Sequence, residues 1–128
     1  MAGILKVDPL GPPLLGFVTI FDHVGVWYVD RWADQDGDDR PDPNGYMKRH
    51  IAAVPSRTTP VYIGTAVEFL NTVLQIAWVV SAPRAVTEWK AAYTLLQGPN
   101  VLAQEDLVQG SLTDGMGIGH AWYKMEAQ

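Results

Sequence analysis

The chain has 128 residues, 48% of them hydrophobic, and a formal net charge of −5. That length sets one domain, and that composition is globular and excludes a disordered chain. Nine Lys and Arg without a basic stripe exclude a nucleic-acid partner, and the absence of Cys excludes disulfides, thiolate nucleophiles and Cys-type zinc sites.

Residues Met1 to Pro13 carry Pro9, Pro12 and Pro13 and read as an extended arm ahead of a single domain over 14–128. The start of the chain lacks the basic residues and long apolar run of a signal peptide, so a cytoplasmic location is the default expectation, with packaging in a virion open. Leu15 to Phe21 and Val24 to Trp32 are rich in β-branched and aromatic residues and predict two strands joined by a tight turn at Asp22-His23. Tyr46 to Val54 fits a short strand or a helical turn.

Tyr62 to Val80 presents Ile63, Ala66, Val67, Leu70, Val73, Leu74, Ala77 and Trp78 at helical spacing, with Glu68, Asn71, Thr72 and Gln75 opposite. This predicts a long helix. A second helix is expected from Arg84 to Gln97, with Val86, Trp89, Tyr93 and Leu96 on one side and Gly98-Pro99-Asn100 as its stop. The tail predicts strands over Asp106 to Leu112 and Ile118 to Met125, joined as a hairpin through Thr113-Asp114-Gly115-Met116-Gly117. The expected fold is therefore α+β, a small antiparallel sheet of four to five strands with two helices packed on one face. Val61 to Ala82 is the one stretch that suggests a membrane-associated subunit. Glu68, Asn71 and Gln75 interrupt it, and its uncharged part is shorter than the roughly 20 residues of a spanning helix, so a core element is the expectation.

Between the first strands and Gly45 lies the segment Asp34-Gln35-Asp36-Gly37-Asp38-Asp39-Arg40-Pro41-Asp42. With Asp34 at the first position of a looped calcium site, Asp36 and Asp38 take the third and fifth, the Arg40 carbonyl the seventh and Asp42 the ninth. Closely spaced carboxylates repel one another unless a cation offsets the repulsion. The alternative is a plain acidic turn, partly neutralised by Arg31 and Arg40. On Asp34, Asp36, Gly37, Asp38 and Asp42 the loop resembles the Asp-rich calcium loops of thrombospondin type 3 repeats and integrin-type β-propeller blades. The resemblance covers this loop alone. It departs at Asp39, where Gly usually makes the sharp turn, and at Gly45, where an EF-hand has a bidentate carboxylate. It implies a weak structural calcium ion and not a sensor.

Gly119-His120-Ala121-Trp122, with Leu107-Val108-Gln109-Gly110 before it, resembles the central hairpin of the papain and transglutaminase-like superfamily. The resemblance implies His120 as a catalytic base and a nucleophile on a helix near Thr87, hence a hydrolase or transferase, but the Cys of that mechanism is absent. A metal site of His23, His50 and Asp30 can be drawn, though no spacing supports it. Five Trp, with an indole N–H each to satisfy, favour a protein partner or homo-oligomer. The leading expectation is a non-catalytic structural or interaction subunit of a larger assembly, with an acidic loop suited to calcium.

Overall fold

A computed structural model describes residues 2–128. The strands are β1 (Ala2–Val7), β2 (Leu14–Ile20), β3 (Val24–Trp32), β4 (Tyr46–Ala53), β5 (Val61–Gly64), β6 (Val73–Ser81), β7 (Glu88–Gln97), β8 (Asn100–Ser111) and β9 (Met116–Ala127), with one turn of helix, α1 (Ala66–Phe69), between β5 and β6. They form a five-stranded sheet ordered β1-β9-β6-β3-β4 and a four-stranded sheet ordered β5-β2-β7-β8. Every pairing is antiparallel except that of β1 with β9.

The two sheets bury one core between them. From the larger sheet come Trp27, Val29, Leu74, Ile76, Trp78, Val80, Ala121 and Tyr123, and from the smaller Leu14, Val18, Ile20, Trp89, Ala91, Tyr93 and Leu95. Inward residues alternate along each strand, as two-sheet packing requires. Trp78 is the hub: its ring meets Trp89 edge-on at 5.7 Å and lies 5.7 Å from Tyr93. The Tyr93 and Tyr123 hydroxyls bond across the sheets. Burial raises both phenols above their usual range.

The expected α+β fold is corrected. The chain is 61% strand and 3% helical, and among the described residues no helix reaches seven residues. The long helix expected over Tyr62 to Val80 is β5, α1 and β6. Thr65 and Glu68 cap α1 reciprocally, and Thr72 Oγ1 donates to the Phe69 carbonyl (2.7 Å). Asn71, expected on a polar helix face, has φ of 60° and turns the chain into β6. A helix cannot continue through that conformation. Beyond it Leu74, Ile76, Trp78 and Val80 are buried in strict alternation. The second expected helix is a reverse turn followed by β7, in which Trp89, Ala91, Tyr93 and Leu95 face the core.

Two connections also differ from expectation. β2 and β3 exist but do not pair with each other: β2 lies between β5 and β7, β3 between β6 and β4. Asp22, with φ of 65°, turns the chain from one sheet to the other. Likewise β8 and β9 belong to different sheets. The turn between them is tight, with Asp114 and Gly115 both at positive φ and Thr113 bridged to Met116. Residues 2–7 of the expected arm form β1, and Val7 is fully buried. Tyr46 to Val54 resolves as β4, an edge strand. No helix among the described residues is long and apolar enough to cross a membrane.

β4 carries a bulge opposite Val29-Asp30, where His50 is the extra residue. A bulge re-aims its side chain; the His50 ring lies 4.4 Å from that of Phe69. Its Nε2 is buried without a hydrogen-bond partner. Burial holds this imidazole below its usual pKa, with Arg31 and Lys48 adding to the effect and Glu68 opposing it. The folded state thus binds fewer protons than the unfolded one below about pH 6.5. Stability is expected to fall as pH drops below 6.5. Thermal melts at pH 7.5 and 5.5 should show the loss, and His50→Gln should reduce the difference between them.

Candidate metal centre

The acidic loop leaves the end of β3 and returns to the start of β4. Its base is closed by the backbone: Ala33 N–H donates to the Gly45 carbonyl (2.7 Å) and Gly45 N–H to the Asp42 carbonyl (2.9 Å). Gly45 accounts for one departure from the calcium-loop pattern. A Cβ there would stand 2.9 Å from the Ala33 carbonyl oxygen, so a side chain at this position has no room. Asp39 accounts for the other. It adopts φ of 63°, and Gly37 adopts 73°. These two left-handed residues curl the loop, a conformation Asp tolerates better than most side chains.

The curl brings Asp34, Asp36, Asp38 and Asp42 together, with one carboxylate oxygen from each lying within 4.8 Å of all the others. Oxygens about 2.4 Å from a common centre are at most about 4.8 Å apart, so one ion could be shared by all four. This cluster of four Asp could hold a metal ion. The Arg40 backbone joins the loop through its N–H, which donates to Asp38 Oδ1 (3.1 Å). Asp38 N–H donates to Asp36 Oδ1 (3.3 Å), and Gln35 N–H to Asp42 Oδ2.

Asp34 differs from the rest. Its side chain is 0% exposed. Oδ2 accepts from Lys124 Nζ (2.7 Å) and from Asp39 N–H (3.1 Å), whereas Oδ1 is buried with no partner. The hydrogen bond from Lys124 holds this carboxyl below its usual pKa, against the effect of burial. Asp36 moves the other way, pushed up chiefly by the adjacent Asp38 carboxyl. Such crowding is the signature of like charges sharing a site. Lys124, on β9, was not foreseeable. It stands 90 residues from Asp34 and carries no motif; only the strand order brings it to the loop.

The other residues singled out in the sequence lie elsewhere. His120 is on the outer face of the larger sheet, stacked on Trp122 at 5.0 Å and opposite Ala77 of β6. Thr87 immediately precedes β7 in the other sheet, and the helix that the papain-like resemblance implies there is absent. Asp30 is gripped by Arg49 through Nε (2.9 Å) and Nη2 (3.2 Å), and the guanidinium also lies 4.1 Å above the Tyr28 ring. His50 packs on Phe69. Compared with protein-family models, characterised proteins and solved structures, the chain has no significant match. What the fold and this loop define is a two-sheet β-sandwich with a four-carboxylate loop at one end of its larger sheet.

Proposed function

We propose that the chain is a non-catalytic structural subunit of a larger assembly, and that its acidic loop takes calcium as a structural ion. The observation that carries the calcium reading is the convergence of four carboxylates, one of which, Asp34, has a buried oxygen with no hydrogen-bond partner. Four hard oxygen donors match calcium, with backbone carbonyls or water completing six to eight ligands. The outer face of β3, β6 and β9 supports the assembly reading. Across it, Val24, Val26, Val79, Ile118 and Met116 occupy adjacent register positions, with Val24 and Ile118 each 71% exposed. An apolar sheet face of this kind is characteristic of surfaces that contact protein.

Calcium at about ten times its Kd is expected to stabilise the fold by about 1.4 kcal/mol, a shift of a few degrees in Tm that EDTA reverses. Asp36→Asn separates this from a plain acidic turn. Without calcium it relieves repulsion and leaves Tm unchanged or higher; with calcium it removes most of the shift. Light scattering with and without EDTA reads assembly at the same time. A monomer whose Tm ignores both calcium and EDTA sinks the proposal.

A further inference from the structure

We infer that Lys124 sets the affinity of the acidic loop for divalent cations, as a built-in counter-charge that keeps the loop formed without metal and weakens cation binding. This rests on the calcium reading above. Lys124 is held on β9, whose neighbours at that position are Val73 of β6 on one side and Ile4 of β1 on the other. Its side chain is only 13% exposed, and its ammonium lies 2.7 Å from Asp34 Oδ2. A charge fixed by a strand paired on both edges is preorganised, unlike a surface lysine free to swing away.

Asp34 thereby divides its two oxygens. Oδ2 is committed to Lys124 and to the Asp39 N–H, and Oδ1, buried and unpartnered, is left for a ligand. One ammonium offsets one carboxylate and leaves the loop net negative, so a divalent ion still gains from entering. It enters next to a positive charge, and that repulsion persists in the bound state. Calcium sites of this strength belong with those that fill at roughly 10⁻⁴–10⁻³ M, the range of extracellular modules, and not with sensors.

The test is isothermal titration of the full chain with calcium chloride at fixed ionic strength, parent against Lys124→Met, which keeps most of the apolar stem. The variant is expected to bind calcium on the order of tenfold more tightly while melting at a lower temperature in EDTA. Lys124→Arg, which keeps the charge, should remain weak. A merely structural lysine predicts the same loss of stability but the opposite change in binding, with calcium affinity falling. Should Lys124→Met unfold in EDTA, calcium is expected to refold it at concentrations below those that half-saturate the parent, and failure to do so overturns the inference. Calcium binding by the parent with equal or weaker binding by the folded Met variant overturns the role of Lys124 alone. No binding by the parent removes the calcium reading and this inference together.

Discussion

Replacing Trp78 by alanine is expected to cost about 3–5 kcal/mol of folding stability, enough to unfold much of the population of a marginally stable domain. The side chain is 1% exposed and is the point where the sheets meet, touching Trp89 from the smaller sheet edge-on and lying against Tyr93. Neither neighbour can collapse into the space left, because both project from paired strands. The floor beneath the indole is Gly119, where a Cβ would stand 2.3 Å from Trp78 ring atoms. Gly119→Ala should therefore destabilise as well, by about 1–3 kcal/mol, through overpacking instead of a cavity. Trp78→Phe should lose less than Trp78→Ala, since a ring is kept and the buried indole N–H that finds no acceptor is removed. Urea unfolding followed by far-UV circular dichroism measures all three. A Trp78→Ala loss below about 1 kcal/mol would mean that the sheets do not depend on this contact.

Trp78 also shows why the sequence misleads about fold class. Leu70, Leu74 and Trp78 are four apart, a separation that returns to the same face in a helix and in a strand alike. Trp89 and Tyr93 repeat the ambiguity. The deciding positions are those two apart: Ile76 and Val80 beside Trp78, Ala91 and Leu95 beside Tyr93, all buried. The run Val73-Leu74-Gln75-Ile76-Ala77-Trp78-Val79-Val80 is rich in β-branched residues, which favour the pleated surface. Helical periodicity and that preference compete over this run, and the alternating burial follows the preference. Asn71 was the local sign of a break, because Asn is one of the few residues that enters the left-handed region readily.

Strands were legible where their alternation was undisturbed, as in β3, where Trp27 and Val29 face inward as a pair. Their partners were not. Asp22-His23 and Thr113 to Gly117 have the residues of tight turns, and tight turns were made, yet each passes the chain between sheets. Whether a short turn closes a hairpin or bridges a sandwich depends on which faces must be buried, and that is settled by strands far away in sequence. The acidic loop was legible for the opposite reason. Its spacing, its left-handed Gly37 and Asp39 and its closure at Gly45 are all local, so the four carboxylates could be named in advance. Lys124 could not, since its position follows from the placement of β9 between β6 and β1.

Asp34→Ala is expected to give the second large loss, about 3 kcal/mol without calcium, because it leaves the mostly buried Lys124 ammonium without its partner. Two effects set the size. Removing the carboxylate strips Lys124 of its ion pair and Asp39 N–H of its acceptor. Against this, it lowers the repulsion among Asp36, Asp38 and Asp42, which offsets part of the cost. Asp34→Asn keeps an acceptor for both donors and should lose less, while still weakening the response to calcium. The double variant Asp34→Ala/Lys124→Met discriminates further. If the loss arises from an unpaired buried charge, removing that charge restores stability, so the double variant melts above Asp34→Ala in EDTA and shows a weakened calcium shift. Additive losses would instead mean that the two side chains stabilise the loop independently, contrary to the 2.7 Å contact that ties β9 to the loop.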